Sequence, residues 1–329
     1  MAVVLLFSTK GGKRMISNNK LIYNVENILS RKPITADIFL NSACNNKCPY
    51  CTYARYKQRS SSYMTFNDFK RNITILLENG VKGVILTGGG EPTISPDFDK
   101  ITEYLEKHSI PYGINTNFNV FKAIRPNYLK ISLDGYDRKS YQKARGVDKY
   151  EHVIENIKNY LSFKAMYNAK TSVGIQTVAT NVEDVEKFYE AHKELHVDYF
   201  NIRPMESTYG EYYDNNQTLR ERLKILEYLQ DIAEKDKRVC INYKWHEIWT
   251  QFDKCYANFS QIAINENSEV MYCCQKPYEI IGKLTDVDIW EKRERFQTNM
   301  QMCDVPCRLT AANNFVQSLQ DVPSDAAFI

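Results

Sequence analysis

From residue 35 to about residue 235 the chain alternates between two hydrophobic periods. Short runs rich in Ile, Val, Leu and aromatic residues predict strands over 36–42, 83–87, 112–116, 128–133, 171–178 and 198–203. Helical spacing fills the stretches between them, at 97–108, 150–163 and 218–235. Thr65, with Asp68 three residues on and Gly80 beyond, predicts a capped helix reaching Asn79. Asn181 with Asp184 predicts another, reaching Leu195. Six strands alternating with helices imply a parallel sheet, because parallel neighbours need a crossover between them. An open sheet and a partial barrel both satisfy that pattern, and in both the chemistry gathers at the C-terminal ends of the strands.

The pattern breaks on both sides of this region. Residues 1–34 read as an extension, with Leu21, Val25, Ile28 and Leu29 at the spacing of a short packing helix. After about residue 236 come short strands, turns and cysteines, which suggest a second, smaller unit over 236–329. There the hairpin 261–263 and 269–272 turns through Asn265-Glu266-Asn267-Ser268.

Composition narrows the function. Net charge is +3, too small to imply nucleic acid or an acidic membrane surface as partner. Val3–Phe7 is too short to span a membrane or to form an export signal, so the expected compartment is the cytoplasm. The nine cysteines stand out, and in a reducing compartment clustered cysteines bind metal more often than they form disulfides. Three lie within eight residues and five between Cys255 and Cys307; Cys240, inside Val239-Cys240-Ile241, reads as an inert thiol on a strand.

Cys44, Cys48 and Cys51 follow the first predicted strand with the spacing C-x3-C-x2-C. Thiolates are soft ligands for iron–sulfur clusters or zinc. A structural zinc site is closed by a fourth ligand, and none lies nearby in sequence, unless a distant residue completes a zinc knuckle. Three local thiolates therefore suggest a cluster with one iron left open.

This segment, with Tyr50 before the third cysteine, resembles the signature of the radical S-adenosylmethionine (SAM) superfamily. The resemblance implies a partial (β/α)6 TIM-like barrel over 35–235. It also implies a [4Fe–4S] cluster whose open iron chelates SAM, and one-electron cleavage of SAM to a 5′-deoxyadenosyl radical. Gly88-Gly89-Gly90-Glu91-Pro92, after the second strand, resembles the family's GGEP element, whose backbone and Glu91 accept hydrogen bonds from the SAM ammonium. Ser132 and Asp134 share one face at the end of the fourth strand, suited to ribose hydroxyls, and Asn115 lines the same cleft. Arg145 resembles a position that pairs with the SAM carboxylate. Each element alone also reads as an ordinary turn, strand end or surface arginine.

The C-terminal cysteines resemble the shorter, twitch form of the SPASM extension. That resemblance implies an auxiliary [4Fe–4S] cluster held by Cys255, Cys273, Cys303 and Cys307, with structural zinc the alternative. Cys274 is then a spare thiol, packed beside a ligand, serving as the ligand in place of Cys273, or donating hydrogen to a substrate radical. The expected substrate is a carbohydrate, small metabolite or peptide, oxidised or epimerised, with a donor such as flavodoxin or ferredoxin supplying electrons. Two other classes stay open: a zinc-stabilised binding protein on a degenerate barrel, and a two-cluster electron-transfer protein.

Overall fold

The computed structural model describes residues 31–51, 53, 61–204, 219–241, 245, 255–274, 276–298 and 313. The predicted helix near residues 20–29, and Cys303 and Cys307, lie outside the described residues.

In chain order the elements are β1 (Thr35–Phe39), α1 (Phe66–Glu78), β2 (Gly83–Thr87), α2 (Phe98–Lys107), β3 (Tyr112–Thr116) and β4 (Tyr128–Ser132). There follow α3 (Arg138–Arg145), α4 (Tyr150–Met166), β5 (Ser172–Ala179), α5 (Val182–His192), β6 (Tyr199–Pro204) and α6 (Leu219–Lys235). The chain continues through β7 (Val239–Ile241), β8 (Gln261–Ile264), β9 (Glu269–Cys273), β10 (Lys276–Lys283) and α7 (Ile289–Thr298). Strands β1 to β7 lie side by side in sequence order, all parallel.

That order decides between the two architectures left open by the sequence. Crossovers are right-handed, so a sheet wound in one direction only receives all its helices on one face. Side-chain parity agrees. Ala36, Ile38, Val84, Leu86, Ile114, Leu129, Ile131, Val173, Ile175, Phe200 and Ile202 are buried in one core with Phe69 and Ile73 of α1, Phe98 of α2, Ile157 of α4 and Phe188 of α5. The alternate residues of β2 and β4 are half-buried, and among the described residues no helix covers that other face.

Hairpin β8–β9, set by the sequence in the C-terminal segment, joins the same sheet. Strand β8 lies parallel to β1 on its free side, Thr35 opposite Gln261, and β9 and β10 continue antiparallel. Asn265 shapes the hairpin turn by accepting from the backbone amides of Asn267 and Glu269, both at 3.0 Å.

The caps follow the sequence signals. Thr65 Oγ1 accepts from Asp68 N at 3.1 Å, and Asn181 Oδ1 from Asp184 N at 2.8 Å. Helix α5 stops at His192, three residues short of the expected end. Helix α3 was not foreseen, because only Tyr141 and Arg145 of its eight residues are buried and its apolar stripe is too thin to register. Its reciprocal cap between Asp137 and Ser140 is the signal that marks it. Among the described residues no helix is long and apolar enough to cross a membrane.

His192 is buried at the end of α5, donating from Nδ1 to Phe188 O at 2.7 Å, with Tyr150 Oη 3.0 Å from Nε2. Burial lowers its pKa to about 4. A depressed folded value means stability that is present above the ordinary value near 6.5 and is lost as pH falls through 4. The expected loss across that window is about 3 kcal/mol, and His192→Gln removes this part of the slope in urea titrations run at pH 7 and pH 4.

Candidate functional site

The cysteine loop leaves β1 and is closed at its base. Asn41 and Tyr63 form an antiparallel bridge, and Met64 N donates to Leu40 O at 2.8 Å. Three other connections grip it from the C-terminal edge of the sheet. After β2, Gly90 N and Glu91 N donate to Asn41 O (2.9 Å) and Ala43 O (2.8 Å), and Asn41 Nδ2 returns a bond to Glu91 O. After β3, Asn117 Nδ2 reaches Asn45 Oδ1 at 2.7 Å and Asn119 Nδ2 reaches Asn46 Oδ1 at 2.6 Å. At the end of α3, Arg145 O accepts from Lys47 N at 3.0 Å. A Cβ on Gly90 would stand 1.8 Å from Ala43 O, so only glycine permits this approach.

Cys44, Cys48 and Cys51 are all partly exposed on this loop. Cys44 Sγ accepts from Asn46 N at 3.5 Å and from Asn117 Nδ2 at 3.9 Å; Cys48 Sγ accepts from Arg145 Nη1 at 3.5 Å. Cys51 packs on a small apolar patch of Phe39, Tyr53, Ala263 and Met271. Burial pushes the Cys48 thiol up, and the Arg145 cation pulls it back. Among the described residues no three His, Cys, Asp or Glu side chains converge tightly enough for a single metal ion. A cluster of several irons takes each thiolate at a separate corner. The N–H donors already aimed at two of the sulfurs are what cluster thiolates accept. The donor set therefore fits an iron–sulfur cluster.

The other residues singled out from sequence meet around this loop, with partners that spacing did not disclose. Glu91 is buried, and its carboxylate accepts four hydrogen bonds: from Thr93 N and Oγ1 (3.1 and 2.7 Å), Thr116 Oγ1 (2.5 Å) and Asn117 N (2.7 Å). Burial raises its pKa and those donors oppose the rise. Pro92 opens the short 3-10 turn that Glu91 caps. Gly89 lies under the Tyr53 ring, which a Cβ would approach to 2.0 Å. Asp134 adopts φ +47°, unusual for a residue with a side chain, and is held from three directions. Its carboxylate accepts from Val178 N (2.9 Å) and Tyr50 Oη (2.8 Å) and pairs with Arg145 at 2.7 Å. Arg145 also donates to Ser132 O. Burial and the Asp134 charge lift the Tyr50 phenol well above its usual value.

Sequence reading missed the uncovered face of the sheet as a unit, although strand parity carries the signal. Thr87, Asn115, Lys130, Ser132, Tyr199, Arg203 and Cys240 alternate with the core residues and are half-buried. Asn115 Nδ2 donates to Thr87 Oγ1 at 3.3 Å, and Asn201 Nδ2 to Gln176 Oε1 at 3.0 Å. The Tyr128 and Tyr199 rings lie across Gly113 and Gly174, where a Cβ would stand 2.0 and 2.1 Å from ring carbon. The result is a polar wall with two aromatic rings and two cations. Cys240, read as inert, is on this wall, in register with Asn201.

Also missed was Glu266, a buried carboxylate in the β8–β9 turn. It accepts from Tyr53 Oη (3.3 Å) and Ser62 Oγ (3.1 Å), tying the hairpin to the cysteine loop. Cys273 ends β9 near the level of Gln261, which pairs with Thr35 at the start of β1. The C-terminal cysteine thus lies at the opposite end of β1 from Cys44. Burial lowers the pKa of the Arg293 guanidinium to about 10, with Cys255 opposing the fall, and its Nη2 donates to Gln261 O at 2.8 Å. Cys274 Sγ accepts from Gln261 Nε2 at 3.9 Å and packs on the same apolar patch as Cys51.

Comparison with known proteins agrees with this geometry. Residues 38–164 match the model of the Radical SAM superfamily. A probable GTP 3′,8-cyclase of Pyrococcus horikoshii is 29% identical over 150 residues, 43% of this chain and 47% of that protein. The GTP 3′,8-cyclase of Haemophilus influenzae is 23% identical over 200 residues, 56% and 58% of the two chains. The chain thus spans about half the length of the curated relatives it matches. The structure of Streptococcus suis SuiB bound to S-adenosylmethionine superposes with TM-score 0.62 at 16% identity, covering 88% of this chain and 72% of that one. Native anSMEcpe with bound AdoMet gives 0.60 at 19% identity, covering 82% and 84%. At these identities the structural likeness is one of fold: a mostly parallel α/β sheet matching radical SAM barrels.

Proposed function

We propose that the chain is a radical SAM enzyme acting on a substrate held against the uncovered face of its sheet. The observation that carries this is the cysteine loop itself, gripped from three connections and supplied with N–H donors at Cys44 and Cys48. Cys44, Cys48 and Cys51 would hold a [4Fe–4S] cluster which, with SAM, supplies a 5′-deoxyadenosyl radical. The chain's own residues do the positioning. Gly89 and Gly90 keep the loop after β2 close, Glu91 braces it through Thr116 and Asn117, and Asn115 and Ser132 border the same edge.

The polar wall is consistent with a small, oxygen-rich substrate, whether carbohydrate or other metabolite. The curated relatives are named for GTP cyclisation and SuiB is seen with a precursor peptide, so a nucleotide and a peptide are the competing classes. Residues 236–329 are proposed as a twitch-like unit in which Cys255, Cys273, Cys303 and Cys307 hold a second cluster. An electron donor such as flavodoxin or ferredoxin completes the scheme.

Anaerobic reconstitution tests the reading. The expected protein binds iron and sulfide, absorbs broadly in the visible, and forms 5′-deoxyadenosine from SAM and dithionite. Zinc without iron or sulfide would overturn it, and intact clusters without 5′-deoxyadenosine would favour electron transfer. If Cys274 returns hydrogen to the substrate radical, Cys274→Ala abolishes deuterium uptake from heavy water while SAM cleavage persists; unchanged uptake rules that role out.

A further inference from the structure

The last turn of α3 meets the cysteine loop twice. Its backbone accepts Lys47 N at Arg145 O, and its C-cap Gly146 turns at φ +68°, where a Cβ would come 2.4 Å from Lys47 O. Its final side chain runs under the loop. The Arg145 guanidinium is buried and reaches three acceptors: Cys48 Sγ, Ser132 O and the Asp134 carboxylate.

Asp134 does not swing freely to meet other partners. Val178 N from β5 and Tyr50 Oη from the cysteine loop fix its two oxygens. Nη2 of the guanidinium therefore already serves an internal carboxylate and Ser132 O, and Nη1 donates to the thiol. Only Nε is buried without an acceptor.

From this arrangement we propose that Arg145 is a positioning residue for the cluster itself: it donates to the Cys48 thiolate and sets the cluster's reduction potential, with Asp134 as its counter-charge. The inference rests on the radical SAM reading of the triad. Reduction adds an electron to a cluster already carrying thiolate charge. A fixed cation and an N–H···S bond favour the reduced state, and a fixed anion disfavours it, most strongly where water is excluded. The two side chains must then act with opposite signs.

The test is an EPR-monitored redox titration of the reconstituted full chain without SAM, alongside SAM affinity measured by equilibrium binding. Arg145→Met is expected to move the potential to more negative values, and Asp134→Asn to more positive ones. Arg145→Lys, which keeps the charge but loses the fork, is expected between wild type and Arg145→Met. Potentials unchanged in both Arg145→Met and Asp134→Asn, with SAM affinity reduced, would overturn the proposal and assign Arg145 to the cofactor carboxylate. Should Arg145→Met fail to fold, the sign of the Asp134→Asn shift still decides. Wild-type protein that takes up no iron and sulfide overturns the radical SAM reading instead, so the two failures are distinguishable.

Discussion

Replacing Cys48 with alanine is expected to reduce 5′-deoxyadenosine formation to the level seen without protein, and to remove the iron that the triad binds. The size of the effect follows from chemistry rather than packing. On the proposed reading three local thiolates would leave one iron open and two would not hold the cluster in place, and the side chain lost is also the acceptor for Arg145. Cys48→Ala should leave the fold largely intact. Only one backbone bond within the triad, Cys51 N to Cys48 O at 3.2 Å, involves the residue, and alanine retains it. Unchanged far-UV circular dichroism with lost visible absorption is the expected pair of readings. Iron retained at wild-type stoichiometry by the variant would show that the triad is not the ligand set.

Glu91→Ala is the second large effect, and it acts through stability. The substitution leaves four donors pointing into a space closed to water: two from Thr93, one from Thr116 and one from Asn117. Unsatisfied buried groups of this kind cost about 1–3 kcal/mol each, and partial relaxation keeps the total below their sum. A loss of about 3–5 kcal/mol is expected, a large share of the 5–15 kcal/mol typical of a folded domain. The measurement is the urea midpoint of the protein without reconstitution, so that the readout is independent of any metal. The same variant should also expose the amides of Gly90 and Glu91, which hold Asn41 and Ala43, to faster hydrogen exchange. A midpoint within experimental error of wild type would mean that the four bonds are not jointly important.

These two residues illustrate how unevenly the sequence speaks. Cys48 is legible because its neighbours in the chain are its partners in function: a three-residue and a two-residue gap place three thiols on one loop. Strands β2 and β3 are legible to the residue for a similar reason, since alternation and turn residues act over a few positions. Glu91 was equally visible as part of a glycine-rich turn, but its partners Thr116 and Asn117 lie 25 and 26 positions away. A motif names the residue; it does not say which donors its carboxylate meets.

The sequence by itself determined the local grammar of this protein. It carried the alternation that makes parallel strands, the caps at Thr65 and Asn181, the spacing that puts three cysteines on one loop, and the turn at Asn265. Each is decided by contacts within a few residues, so a linear pattern is enough. Only the tertiary structure decided that the sheet winds in one direction with its described helices on one face, and that β8 pairs with β1 across more than two hundred residues. It also decided that Tyr50, Asp134, Arg145 and Cys48 meet in one buried group. Those outcomes depend on which strand ends are brought together and which side chains then lose their water. Burial turns an ordinary arginine and aspartate into a fixed pair, and burial is a property of the folded whole.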